Sequence, residues 1–424
     1  MKKPLNRKVV VVGYEVSTPL SHGFDESWKK ARQGESGVSW LTRFDPGSYP
    51  IKAAGEIPDF DPLQYNFLTE RDVYFWNAGF VPLTMALHYD LAKKTGLRID
   101  DSTAPRIGSL VGSAMNGNDA YQYNFEAMQR GGALKVSPFC LPNICANMPA
   151  GKASILLGFK GPVMSPASAC ATGNHCIALA AQIIQRGDAD AMFAGGVDLP
   201  LLPTIYYGFG NMRALSASEA GDRSEKDPTK ASRPFSQDRK GFVLSEGAGL
   251  LLLASLDFAR AEGLPILAEI AGVHMNSDAY HYTNPRVETI ADCVRGAIED
   301  SALAIDEIEY INAHGTSTKA GDLAEITCLR QVFGKQLPNI PISSNKSQIG
   351  HSLAASAAIE AAFTVQSMRE NTILPTINLQ PDRKFHDLDF VTDGPRTAVY
   401  KVALSNSFGF GGPNCCIVFR KVEG

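Results

Sequence analysis

The sequence predicts a layered α/β fold made of two similar halves. Three observations carry this. Short apolar runs of strand length alternate with segments of helical spacing. Two of the strands, one leading to Cys170 and one to His351, each run into a helix of small residues. And 424 residues are too many for one average domain and too few for three. Small residues let a helix lie close to its neighbours, so the helices expected over 171–185 and 352–363 belong at the buried centre. The halves are expected to be residues 1–262 and 263–424.

The chain begins with a basic stretch (Lys2, Lys3, Arg7, Lys8) whose apolar continuation is too short for a signal peptide. A buried strand over 8–12 is closed by Gly13, and a short helix follows over 28–32. Residues 44–67 are rich in Pro, Gly and Asp and read as loops. The spacing of Phe75, Leu83 and Leu87 predicts a helix over 73–94, and 107–111 reads as a strand ending at Gly112. Strands over 162–167 and 191–194 flank the first small-residue helix, the second of them ending at Gly195-Gly196. A polar loop over 214–240 precedes a glycine-rich turn and the apolar run Leu250–Leu253. The second half repeats the plan. Strands over 268–273, 308–312 and 340–343 come first, and strands over 399–404 and 415–420 enclose a loop over 405–414.

Composition narrows the function. With 40 Lys+Arg against 44 Asp+Glu the formal charge is −4, so no general basic field draws nucleic acid, and an acidic partner would be met by a local patch. No apolar run approaches the ~18 residues of a membrane span. The eight cysteines are dispersed, with no C-x-x-C pair. A reduced, cytoplasmic protein with mostly buried thiols and no bound metal is therefore expected.

Cys170 is the exception among those thiols. It sits where a strand becomes a helix, facing free N–H groups and the positive end of a helix dipole, both of which favour a thiolate. A cysteine among alanines is more often packing. The small-residue turn Ser168-Ala-Cys-Ala-Thr-Gly173, however, leaves room for a substrate to reach the sulfur. His314 and His351 each follow a strand and precede small residues. Singly, each reads as a structural histidine; together they could set two imidazoles beside one sulfur, an arrangement suited to acyl transfer. Lys346, in the loop leading to His351, suits a buried electrostatic role or a solvated surface. Glycines on both sides of an aromatic in Ser405-Asn-Ser-Phe408-Gly-Phe-Gly-Gly412 suit an oxyanion donor and a gate, or a tight turn. No dinucleotide or Walker-type glycine pattern occurs.

Ala169-Cys-Ala-Thr-Gly173, Asn312-Ala-His-Gly-Thr-Ser-Thr318, Lys346-Ser-Gln-Ile-Gly-His351 and Asn406-Ser-Phe-Gly-Phe-Gly-Gly412 occur in this order. In them the chain resembles the β-ketoacyl-[acyl carrier protein] synthases of the type I/II elongating class, in the thiolase-like superfamily. The resemblance runs nearly end to end, from Val9-Val-Val-Val-Gly13 onward. It implies a thiolase-like fold of two pseudo-duplicated α-β-α-β-α halves. It also implies a ping-pong reaction: acyl transfer to Cys170, then decarboxylative Claisen condensation with a malonyl carrier protein. By resemblance the N–H groups of Cys170 and Phe408 form the oxyanion hole, and His314 and His351 bind the malonyl thioester carbonyl. Lys346 pairs with Glu360, Thr316 and Thr318 hold the phosphopantetheine arm, Phe408 is the gate, and Met115 and Phe410 contact substrate. Lys135 and Arg213 are candidate contacts for an acidic acyl carrier protein. No cofactor is bound, because the phosphopantetheine arm arrives on the carrier. The family implies a homodimer, with a heterodimer containing a related subunit as the alternative.

Some positions depart from the family pattern: Ala354-Ala-Ser-Ala357, Lys319 where proline is common, and Pro413 where threonine is common. The carrier-docking region is altered more. Glu70-Arg71-Asp72 stands where housekeeping relatives are lysine- and arginine-rich, and Leu134 precedes Lys135 where a basic pair is typical. A specialised carrier in a polyketide, polyene or unusual lipid pathway is expected from this. Two other readings stay open: a chain-length-determining subunit, which typically lacks the nucleophile, and a coenzyme A thiolase. The latter needs a second cysteine near the C-terminus, where only Cys415-Cys416 is available.

Overall fold

The computed structural model describes residues 7–58, 60–76, 78–115, 117–217, 224–380 and 382–422. Lys2 and Lys3, and residues 218–223 of the expected polar loop, lie outside these. Among the described residues ten strands form one sheet. The first half contributes Val9–Ser17, Ile107–Gly112, Val163–Met164, Ala191–Asp198 and Gly247–Ser255. The second contributes Ala268–Ser277, Tyr310–Asn312, Ile342–Ser343, Val402–Phe408 and Pro413–Arg420.

The spatial order is the same in both halves. The first strand in the chain lies innermost, followed outward by the fifth, fourth, second and third. The two inner pairings are antiparallel and the two outer ones parallel, in each half alike. The halves meet edge to edge at Val10↔Glu269 and Val11↔Ala268.

Alternation along the strands sorts the core into layers. Val9 and Val11 face a central core, Val10 and Val12 an outer one. The central core holds the two small-residue helices, Thr172–Arg186 and Ala354–Glu370, between strands of both halves. The outer cores lie under Phe80–Thr95 on one side and under Val287–Asp300 and Lys319–Phe333 on the other. Five layers result, with the expected helices at the centre. Their contact is as close as small residues allow: a Cβ on Gly173 would lie 2.7 Å from the Ala354 carbonyl oxygen. Among the described residues no helix is long and apolar enough to cross a membrane.

Several boundaries differ from expectation, and two of them lie at glycines. Gly13 does not end its strand, which runs on to Ser17 through a bulge between Val11 and Gly13. It is small because a Cβ there would lie 2.3 Å from Thr95 Cγ2, on the covering helix. Gly195 and Gly196 likewise sit inside a strand that continues to Asp198, Gly196 lying against the Ala354 carbonyl. The helix expected over 73–94 is two, Glu70–Phe75 and Phe80–Thr95. The strand expected over 162–167 shrinks to Val163–Met164. The loop expected over 405–414 is mostly strand, because Val402–Phe408 pairs with Pro413–Arg420 and leaves only residues 409–412 to turn.

Candidate active site

The Cys170 turn is built by its neighbours. Residues Ala169–Ala171 form a single 3-10 turn ahead of helix Thr172–Arg186, and Ala169 has φ +50°. That left-handed backbone is costly for a residue with a Cβ. Thr172 Oγ1 holds the turn from both sides, accepting from Ser168 N at 2.8 Å and donating to Ala169 O at 2.7 Å. His175 Nδ1 lies 3.0 Å from both Ser168 Oγ and Ala171 O.

This turn opens on a cavity of about 820 Å³ lined from both halves by Cys170, Met115, His314, Thr316, Thr318, His351, Phe408 and Phe410. One wall is apolar, with Ala114, Met115, Phe209, Phe242 and Leu353. Arg213 and Lys319, both exposed, also line the cavity. Of the two residues expected to dock a carrier, only Arg213 lines the cavity; Lys135 is exposed in the Ala133–Lys135 turn and is not part of the lining.

Each histidine is held by its main chain. Glu325 accepts from the N–H groups of His314 and Gly315, both at 2.8 Å. His351 donates its N–H to Val243 O at 2.7 Å, and its carbonyl accepts from Ser245 N at 3.1 Å. The rings stand edge to face with centroids 5.5 Å apart. His351 Nδ1 meets the Ser356 hydroxyl at 3.0 Å; among the described residues its Nε2 has no hydrogen-bond partner, and neither has Nδ1 of His314. Burial first, then the charge of Lys346 and, for His314, the nearby His351, holds both imidazoles well below the ordinary histidine range. Both rings are therefore neutral at physiological pH, each with one N–H and one lone pair. Lys346 is 1% exposed and ion-paired to fully buried Glu360 at 2.5 Å. Burial pushes the Glu360 carboxyl up to about 7 against the pull of Lys346.

Two expectations change here. Burial pushes the Cys170 thiol up to about 11, although Lys346 and the N–H groups of Phe410 and Cys170 itself pull it down. Burial thus opposes the thiolate that the helix end favours. The loop donor aimed at this sulfur is the N–H of Phe410, not that of Phe408. The reason is the longer strand. Phe408 is still paired with Asn414, its ring 5.6 Å from that of His314, and only residues 409–412 bend over the nucleophile. A Cβ on Gly409 would lie 2.7 Å from Ser168 O, so glycine permits this approach.

Thr316 and Thr318 stand side by side with their hydroxyls 2.9 Å apart, and Thr318 caps helix Lys319–Phe333. Glu325, Phe209 and Phe242 escaped sequence reasoning. A glutamate inside a helix reads as a solvated face, and isolated aromatics read as core. The one sequence signal for Glu325 was its spacing, eleven residues after His314, which by itself indicates nothing.

The arrangement offers a cysteine thiol, main-chain N–H groups acting on its sulfur and two neutral imidazoles lining the same cavity, elements suited to acyl transfer. A family model described as the N-terminal domain of beta-ketoacyl synthase matches residues 6–259, and one for the C-terminal domain matches residues 267–380. The chain is 39% identical to 3-oxoacyl-[acyl-carrier-protein] synthase 2 of Coxiella burnetii, over 98% of this chain and 99% of that protein. It is 37% identical to the protein of the same name from Vibrio harveyi, with the same coverage. Among solved structures, a beta-ketoacyl synthase from Burkholderia phymatum superimposes with TM-score 0.89 at 30% identity, over 99% of this chain and 100% of that one. A type II polyketide ketosynthase in complex with its acyl-carrier protein and bound to a hexaketide gives TM-score 0.89 at 28% identity, over 98% and 100%. Fold, site and relatives agree: the chain belongs to the β-ketoacyl synthase family and is a condensing enzyme.

Proposed function

We propose that Cys170 carries the acyl group and that His314 and His351 bind the thioester carbonyl of a malonyl carrier protein. The observation that carries this is that both imidazoles, each with one ring nitrogen unpartnered among the described residues, line one cavity together with Cys170. In the first half-reaction the sulfur attacks an acyl thioester, its proton leaves with the departing phosphopantetheine thiol, and the N–H groups of Cys170 and Phe410 receive the oxyanion. In the second, loss of CO2 builds enolate charge where the imidazole N–H groups point, the condition under which preorganised donors accelerate most. The enolate carbon attacks the Cys170 thioester. Collapse releases a 3-oxoacyl carrier thioester and the cysteine, which regains one proton.

Thr316 and Thr318 hold the phosphopantetheine arm, Met115 bounds the acyl chain, and Arg213 meets an acidic carrier. No bound cofactor or metal is required, and the enzyme acts in the cytoplasm. The coenzyme A thiolase alternative is disfavoured: Cys415 and Cys416 are fully buried in strand Pro413–Arg420 and are not among the residues that line the cavity. An exposed apolar stripe on helix Asn118–Gly131 (Tyr121, Phe125, Met128), with the edge strand Val163–Met164, supports a dimer. One structural neighbour is described as a ketosynthase/chain length factor, so the partner is a second copy or a related subunit. The halves divide between residues 262 and 263.

A specialised carrier is part of this reading. Of Glu70-Arg71-Asp72, the Asp72 carboxylate is taken up in capping its own helix through Thr69, which leaves Glu70 and Arg71 to face a partner. Loading and elongation with a housekeeping carrier and with one encoded nearby test the whole. A Cys170-linked acyl mass is expected with either, and faster turnover with the specialised carrier. Equal or better turnover with the housekeeping carrier sinks the carrier assignment, and no mass on Cys170 sinks the mechanism.

A further inference from the structure

Asp198 ends the strand Ala191–Asp198 and is 1% exposed, yet no step above uses it. Oδ1 accepts from Ser113 Oγ at 2.6 Å and from Met115 N at 2.8 Å. Oδ2 accepts from Ala354 N at 2.8 Å, and Ala114 N lies 3.1 and 3.2 Å from the two oxygens. Four donors thus converge on one group. An ionised carboxylate only accepts, with about four lone-pair sites, so it fits where an amide would oppose donor to donor.

The donors belong to two different walls. Ala114 and Met115 line the apolar side of the cavity. Ala354 starts helix Ala354–Glu370 and follows Leu353, a lining residue at φ +49°, two positions after His351. The Ala354 carbonyl is itself wedged against Gly173 and Gly196, where added Cβ atoms would lie 2.7 and 2.3 Å away. The pocket wall and the histidine turn therefore meet at one buried carboxylate, and the nucleophile helix packs on the Ala354 carbonyl beside it.

We infer that Asp198 is a positioning residue that couples the fit of the acyl chain at Met115 to the placement of His351. It rests on the proposed roles of Cys170 and His351. A chain pressing on the Ala114–Met115 main chain is felt at Leu353–Ala354, so Asp198 decides which loaded chains go on to condense.

Asp198→Asn keeps size and burial but turns an amide donor toward N–H groups; Ser113→Ala removes one donor and leaves the main chain untouched. Loading is followed as intact mass and condensation as product, over short, medium and long saturated primers. Condensation per loaded Asp198→Asn enzyme is expected to fall about 10-fold or more, since a misplacement of about 1 Å costs up to ~10²-fold. The primer-length profile should change with it. Ser113→Ala should move the same ratio the same way by ~2–5-fold, as loss of one net hydrogen bond implies. A merely structural role lowers folded yield but leaves ratio and profile of the folded fraction as in wild type; that result for Asp198→Asn overturns the inference. Should this variant not fold, Ser113→Ala decides by the same two readouts. Wild-type enzyme that never loads at Cys170 refutes the proposed function instead, whatever the variants do.

Discussion

Lys346 and Glu360 form an ion pair sealed from solvent behind the two histidines, and the charge of Lys346 reaches both rings. Lys346 depresses both imidazoles beyond what burial does, so the neutral, donating form persists far below the ordinary histidine range. Removing the ammonium raises both, and protonation then occurs at higher pH. Lys346→Ala should therefore shift the acid limb of malonyl decarboxylation toward neutral pH. It should also cost ~3–5 kcal/mol of stability, the usual result of breaking a buried pair. A pH–rate profile beside a denaturant titration checks both. An unmoved acid limb in a destabilised but folded variant rules the electrostatic role out.

Cys170 yields a prediction of opposite sign. Burial holds its proton up to about 11, and only the thiolate reacts with alkylating agents. Inactivation of the free enzyme by iodoacetamide should rise about tenfold per pH unit between about pH 7 and pH 9. Mass spectrometry of the labelled Cys170 peptide gives the rate, and Cys170→Ala should give none. A rate already level by about pH 8 would mean that the helix end wins over burial.

How far the sequence revealed this site depends on what each residue does. Cys170, His314 and His351 were legible because each follows a strand-like run and precedes small residues, a local pattern that occurs in both halves, although no strand reaches as far as any of the three. The central helices were legible for the same reason. Glu325 and Asp198 act through contacts 10–11 and 83–156 residues away along the chain, and no local pattern encodes such distances. The assignment of the loop donor to Phe408 failed at a strand end. Two aromatics one glycine apart look alike in sequence, and only the pairing of Phe408 with Asn414 shows that the turn presents Phe410.

That correction can be checked at Gly409. An added methyl would meet Ser168 O at 2.7 Å and Ala171 N at 3.3 Å, so Gly409→Ala lifts the loop and with it the Phe410 N–H from the sulfur. Acyl loading should fall ~10²–10³-fold, the cost of losing one oxyanion donor. Phe408→Ala leaves the 409–412 turn in place and should load far better, losing chiefly the packing of its ring on His314. The two initial loading rates, measured by stopped acylation, decide the matter; the reverse ranking would restore Phe408.

The histidines can be separated from the nucleophile by dividing the reaction. Both rings line the cavity that Cys170 lines; in the proposed mechanism enolate charge develops beside them only after malonyl binding, whereas main-chain N–H groups hold the oxyanion of loading. His314→Ala and His351→Ala should each reduce CO2 release by ~10²–10³-fold, while loading of Cys170 drops much less. The loss should sit in kcat rather than KM, because the interaction is made only in the transition state. His351 also anchors its turn through main-chain bonds to Val243 and Ser245, which alanine retains, so the turn should survive the substitution. Labelled CO2 release and acyl-enzyme mass, taken on the same preparation, give both rates. Equal losses in the two half-reactions would mean that the imidazoles serve the sulfur rather than the enolate.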